Sequence, residues 1–340
     1  MTTNKLLIKN KFLSKETIEC AALSVCVFAI IFIILSNPKA YNSSVQQGLM
    51  LFAISVLPGL FPFMFLTKLL TGLGTVQKIT NKFSRTTYFL FGTPGISGYV
   101  MFMSMLSGYP IGAKLISDLY SQNQISQQDA KKMVSFCTTS GPIFIIGTVG
   151  SIMYNSIQIG IILYFCHILS SVMCGIIFSG KRQKNNVVTN PLASHLKIDN
   201  LLSSTMKDTV SNVLLVGGYI TIFFLFSDIL TKTGIIKTLS FPLSKLFDFM
   251  HLPNLSEAFF NGIIEVTKGI KFLSAQKSIF SVCLTSFLLS FSGISIILQS
   301  MAFLKKCKIK ARYFIFVKCV HAILSCLLTG VCLLSFKVVL

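Results

Sequence analysis

The sequence predicts an all-α, multi-pass transmembrane protein built from two inverted-topology repeats with broken helices or re-entrant hairpins. Three observations carry this. Of the 340 residues, 53% are hydrophobic and only 12% charged, with a mean hydropathy of +0.75, a composition foreign to soluble domains. Several apolar runs reach about 20 residues, enough to cross a bilayer as helix. Inside these runs Gly and Pro recur where a lipid-facing helix gains nothing from them. One instance is Ser107-Gly108-Tyr109-Pro110-Ile111-Gly112-Ala113-Lys114, and the next run contains Ser140-Gly141-Pro142. Broken backbone at membrane depth persists only where protein covers it or where it lines a water-filled cavity. Two such breaks in consecutive runs, one beside a cation, indicate a binding site rather than ordinary kinks.

Residues 1–44 comprise a basic start (Lys5, Lys9, Lys11, Lys15) and a first transmembrane helix from about Thr17 to Leu35. This run exceeds a signal-peptide core and no small-residue cleavage site follows, so it reads as uncleaved with its N-terminus inside. A short loop around Asn37–Ser44 lies outside. Residues 45–180 form the first repeat. Its 45–70 segment returns inward carrying Pro58, Gly59 and Pro62, and Lys78, Lys82 and Arg85 mark the inside. From Tyr88 to Leu119 the pattern reads as a helical hairpin that enters from the cytoplasm and goes back. Residues 121–132 are a polar linker in which Ser126 and Asp129 have capping-box spacing. Residues 130–153 cross outward through the Ser140-Gly141-Pro142 break, and 156–179 cross back.

Residues 181–207 form a polar cytoplasmic linker, opened by Lys181, Arg182 and Lys184, which separates the halves. The second repeat, 208–304, holds an outward crossing at 209–230 and an interfacial stretch at 232–256. Residues 257–275 follow, with Glu265, Lys268 and Lys271 among apolar neighbours, then an apolar run at 278–304 around Ser292-Gly293. Residues 305–340 are a basic cluster (Lys305, Lys306, Lys308, Lys310, Arg312) and a last helix at 313–336 that ends outside.

The halves match weakly but in register. Leu57-Pro58-Gly59-Leu60 aligns with Val216-Gly217-Gly218-Tyr219, Gly112-Ala113-Lys114 with Gly269-Ile270-Lys271, and Ser140-Gly141-Pro142 with Ser292-Gly293-Ile294. By Lys/Arg placement the first unit starts outside and the second inside. Such inverted repeats enclose midplane solute sites made by discontinuous helices.

The net charge of +20 does not indicate nucleic acid, because the basic residues gather at the ends of apolar runs rather than on one face. The ten cysteines, Cys20 and Cys26 among them, form no C-x-x-C and read as small, reduced, buried hydrophobes. His167, His195, His251 and His321 lack metal-ligand spacing, so neither a metal nor another cofactor is expected. G-x-S-x-G and H-E-x-x-H are absent, and Ala113 and Leu115 spoil any phosphate-loop reading. The chain therefore does not read as an enzyme.

The run SGYPIGAKLISDLYSQNQISQQDAKKMVSFCTTSGPIFIIGTVG resembles the corresponding region of the YlbJ-type sporulation integral membrane proteins. So do LPGLFPFMFLTKLL, GIIEVTKGIKFLSA and SFSGISIILQS, and together the likeness covers about residues 45–304. That family carries a nucleoside recognition or Gate domain, shared in looser form with concentrative nucleoside transporters. The resemblance implies a cell membrane or forespore membrane of a sporulating cell and movement of dipicolinate into the spore. Company with other sporulation membrane proteins accords with it.

The expected function is a transporter or channel for a small anionic solute. A nucleoside-type transporter and a non-transporting scaffold for spore formation are the alternatives. The expected solute-binding residues are Ser107, Gly108, Pro110, Gly112, Lys114, Ser140, Gly141, Glu265, Thr267, Gly269, Lys271, Ser292 and Gly293. Lys114 and Lys271, each two residues after a matching glycine, are expected to face the cavity as a pair of cations. The topology has a direct check. Cysteines placed at Ser126 and Ser203 should both be labelled from the cytoplasmic side, and labelling from opposite sides would contradict the assignment.

Overall fold

The computed structural model describes residues 15–73, 76–180, 198–249, 255–276 and 278–336. The basic segment 1–14, linker residues 181–197 and residues 250–254 of the interfacial stretch lie outside the described residues, as do the side chains of 74–83. Among the described residues all regular structure is helical. Among the described residues six helices are long and apolar enough to cross a membrane: Thr17–Ser36, Pro38–Leu70, Ile157–Ile177, Asn200–Lys232, Ile279–Cys307 and Ala311–Ser335. A seventh crossing exists if Ser84–Phe91 and Ile96–Ser107, bent by 88°, count as one.

The expected outer loop at 37–44 shrinks to a turn at Asn37. Pro38, pre-set for a helix start, opens Pro38–Leu51, and the Asn37 side chain accepts from Ala40 N at 3.3 Å. This helix continues through a π-helical stretch, Phe52–Val56, into Leu57–Gly72. Leu57 N–H reaches back to Phe52 O there, a wider turn that accommodates the donors missing at Pro58 and Pro62.

The first hairpin is shorter than expected. Val76–Phe91 ends at Gly92, whose φ of 61° turns the chain, and the arms are Ile96–Ser107 and Ile111–Ser121 around a tip at Gly108-Tyr109-Pro110. The capping box forms as expected: Ser126 Oγ accepts from Asp129 N at 3.1 Å, and Asp129 accepts from Ser126 N at 3.1 Å. The following span is more disrupted than three residues suggest. Helix Gln127–Met133 stops, residues 134–141 are unwound, and Ile143–Met153 resumes as a π-helix.

The linker boundary also moves, since helix Ile198–Lys232 begins inside the expected 181–207 segment. Its apolar face starts early, with Leu201 and Thr205 both buried. Ile235–Phe249 fills the described part of the interfacial stretch. Leu255–Ile264 and Val266–Ser274 then form a second hairpin with its tip at Glu265. Arms of 9 to 12 residues extend about 14–18 Å, roughly half the thickness of a bilayer core. The last break separates Ile279–Phe291 from Gly293–Leu304, where Ser292 (φ 80°) and Gly293 (φ 69°) are both left-handed. A non-glycine residue there costs about 1–2 kcal/mol, so surrounding contacts must hold it.

The two halves pack in the same pattern. Each hairpin tip meets the break of its own broken span: a β-carbon on Gly108 would lie 2.6 Å from Gly141 N, and one on Gly293 would lie 3.1 Å from Gly262 O. Each hairpin also packs on the other half, Ile111–Ser121 against Gly293–Leu304 and Val266–Ser274 against Ile143–Met153. The core has two large clusters, one around Tyr99, Ile116, Met133 and Phe136, the other around Leu255, Ile270, Leu273 and Leu288, and a small third at Tyr41, Leu225 and Ile229. Thr17–Ser36 stays peripheral, with Ile30, Ile33 and Ile34 against Tyr41, Leu225 and Ile229. Cys20 and Cys26 are therefore exposed, contrary to the buried role expected of them, whereas Cys137, Cys166 and Cys174 are buried.

Gly112 is the tightest of these contacts, because a β-carbon there would lie 1.7 Å from the Cys137 carbonyl oxygen. Gly112→Ala should lower the unfolding temperature sharply or prevent accumulation. Gly218→Ala, with nothing within 4 Å of the added carbon, should leave stability equal or raise it by up to about 1 kcal/mol. Thermal unfolding of the two purified variants checks the contrast.

Candidate solute site at the broken helices

The two tips and the two broken spans meet at one cavity of about 80 Å³. It is lined by Ser107, Gly108 and Tyr109 of the first tip, Ser140 and Gly141 of the first break, and Glu265, Val266 and Thr267 of the second tip. Ile296 and Gln299 of the second broken span complete it, with Gly59 and Leu60 facing Val216 and Ile220. The 57–60 and 216–219 segments that align in sequence thus contribute to the same cavity.

Opening the backbone at 134–141 frees peptide groups that must find partners, since each one left unpaired in hydrocarbon costs several kcal/mol. Four side chains from three other elements supply them. Ser104 Oγ accepts from Thr139 N at 3.1 Å, and His167 Nε2 accepts from Ser140 N at 2.9 Å. Ser171 Oγ donates to Phe136 O at 3.0 Å, and Lys318 Nζ donates to Thr138 O at 2.9 Å. Because His167 Nε2 accepts, its proton sits on Nδ1, which donates to Ser290 Oγ at 2.8 Å. His167 therefore joins the first break to the segment just ahead of the second. Tyr109 makes a parallel link: its hydroxyl accepts from Lys318 Nζ at 2.7 Å and donates to Leu289 O at 3.5 Å.

Glu265 is 2% exposed, and its carboxylate caps the second arm by accepting from Lys268 N at 2.8 Å. The Lys268 ammonium turns away to Asp228, which also accepts from Ser44 Oγ. The second hairpin is thereby tied to Ile198–Lys232 and Pro38–Leu51. In a low-dielectric interior such a pair is tolerated because its remaining lone pairs are occupied.

Of the expected residues, Ser107, Gly108, Ser140, Gly141, Glu265 and Thr267 line this cavity. Pro110, Gly112, Gly269, Ser292 and Gly293 lie behind it as buried packing and turn positions. Lys114 and Lys271 do not face it. Gly112 abuts Cys137 and Gly269 abuts Gly262, and two residues along a helix is a rotation of about 200°. The spacing that aligns each lysine with its glycine therefore puts it on the opposite side. Lys114 pairs with Asp118 at 3.0 Å and lines a separate cavity of about 250 Å³ with Lys68, while Lys271 is exposed. Sequence reasoning missed Lys318, His167, Asp228 and Gln299. Lys318 and Asp228 carried a usable signal, since an ionisable residue in a transmembrane run is rare.

If His167 holds the break, His167→Ala leaves the buried Ser140 N–H unpaired. The unfolding free energy should fall by about 1–3 kcal/mol. An unchanged unfolding temperature would contradict the link.

No family model matches the chain, so the Gate domain of the resemblance has no match of its own. The sporulation integral membrane protein YlbJ of Bacillus subtilis (strain 168) is 29% identical over 308 residues, which span 83% of this chain and 74% of YlbJ. Among solved structures, CNTnw in an outward-facing state, a concentrative nucleoside transporter, aligns over 94% of this chain and 86% of its own. The TM-score is 0.52 and the identity 16%, a likeness of fold alone. By sequence, the chain is an integral membrane protein similar to the YlbJ-type sporulation proteins that its motifs resemble.

Proposed function

We propose that the chain moves a small anionic solute, with dipicolinate the one the resemblance implies, across a membrane of the sporulating cell. The observation that carries the reading is the convergence of two hairpin tips and two broken spans on one cavity. Discontinuous helices of this kind place helix ends, rather than bulk side chains, against a solute. Three helices that start at or beside the cavity, Ile111–Ser121, Ile143–Met153 and Gly293–Leu304, have no side-chain cap. The positive dipole ends of these uncapped helices favour an anion. The fourth, Val266–Ser274, is capped by the Glu265 carboxylate itself. A carboxylate of the solute can compete for that position.

At about 80 Å³ the cavity is well below the roughly 300 Å³ of an ordinary small-molecule site. Admitting an aromatic dicarboxylate requires a hairpin tip to part from the opposing break. The glycine contacts at Gly108 and Gly141 are where such a parting separates the least side-chain packing.

Uptake of labelled dipicolinate into vesicles containing the purified protein tests the reading. Uptake should exceed that of empty vesicles and should resist competition by nucleosides. Glu265→Gln keeps an acceptor for the cap but removes a like charge from the site. It should lower the half-saturating concentration about tenfold, equivalent to about 1.4 kcal/mol. Lys271→Gln should behave as the unaltered protein. Competition by nucleosides would favour the nucleoside-type reading, and no uptake of either solute would favour a scaffold.

A further inference from the structure

We propose that Lys318 is a tethered cation that occupies the role of a coupling metal ion, closing the first hairpin onto the first broken span without bound Na⁺. Where discontinuous helices open in a membrane, their unwound carbonyls are the groups that coordinate Na⁺. Here the unwound carbonyl of Thr138 receives an ammonium from the protein's own last helix, at 2.9 Å. The rest of its environment is equally uncharged: the Tyr109 hydroxyl at 2.7 Å and the Tyr109 ring, whose centroid lies 4.6 Å from Nζ. Neutral oxygens and an aromatic face are what a small monovalent cation accepts.

Lys318 is 1% exposed, and among the described residues no carboxylate lies within 4 Å of its ammonium. The other lysines near the two cavities differ. Lys268 has Asp228, Lys68 has Asp208 and Lys114 has Asp118. The nearby imidazoles supply no negative charge, since His167 donates through Nδ1 and His321 donates from Nε2 to His167 O at 3.0 Å. The Lys318 amine is thus surrounded only by dipoles, and those dipoles belong to the two parts whose separation would open the cavity. Tyr109 is on the first tip, and Thr138 lies two residues before Ser140 of the first break. The ammonium acts as a latch between them.

What the latch closes upon depends on the transport reading, but the latch itself does not, and the test separates the two. Full-length protein is unfolded thermally in NaCl and in choline chloride at equal ionic strength. The unaltered protein should unfold at the same temperature in both. Lys318→Ala should unfold at a lower temperature in choline and recover with rising Na⁺, Li⁺ or methylammonium, saturating as a bound ligand does. Lys318→Met, which fills the space without charge, should be lowered and should not recover. Saturable stabilisation of the unaltered protein by Na⁺ would overturn the proposal, as would Lys318→Met of full stability or Lys318→Ala that no small cation restores. Should Lys318→Ala not accumulate, the unaltered protein and Lys318→Met still decide. In vesicles, uptake should persist when Na⁺ is replaced by choline. Absence of uptake in both salts would count against the transport reading and leave the latch to the unfolding data.

Discussion

Everything in this fold depends on how the peptide groups freed at 134–141 are paired. A helix that opens inside a membrane has no water to fall back on, so its N–H and C=O groups must be met by side chains. Here Ser104 comes from the first hairpin, His167 and Ser171 from Ile157–Ile177, and Lys318 from the last helix. Each of these elements must therefore sit beside the break, and that requirement fixes their positions around the cavity. The buried hydroxyls that look scattered in the sequence are, in this light, the other half of the break.

The two halves solve the same problem with different chemistry. In the first, an unwound segment of eight residues is satisfied by imported polar side chains and one unpaired cation. In the second, the break is a two-residue left-handed turn at Ser292-Gly293, and the adjacent tip is capped by its own Glu265. The shared part is backbone contact through glycine, at Gly108 on Gly141 and at Gly293 on Gly262. Glycine there removes the side-chain layer that would otherwise hold tip and span apart, so the approach is by main chain. Ionisable side chains hold the hairpins beside this seam, with Asp228 and Lys268 anchoring the second and Lys318 the first.

Much of this was legible from residue patterns. Apolar run lengths located the spans, and Ser126 with Asp129 announced a helix start. Glycine and proline at 108–112, 140–142 and 292–293 marked the breaks, because local backbone chemistry decides them. What was not legible depended on tertiary partners. The unwinding extends back to residue 134 because side chains on remote helices satisfy it, and nothing within 134–141 announces that. Lys114 and Lys271 each follow a matching glycine by two residues, but helical rotation carries them away from the breaks, and only the packing of Gly112 and Gly269 reveals which face is which. Lys318 was hidden by a different effect: in a chain of net charge +20, one more lysine reads as a topology signal.

The most direct measurement is an experimental density map of the protein in lipid nanodiscs, with and without saturating dipicolinate. Density for the dicarboxylate between Gly108 and Ser140 on one side and Glu265 and Thr267 on the other is the result expected, with the first tip displaced from Gly141. Density confined to the separate cavity beside Lys68 and Lys114, with the tips and breaks unmoved, would contradict a solute site at the broken helices.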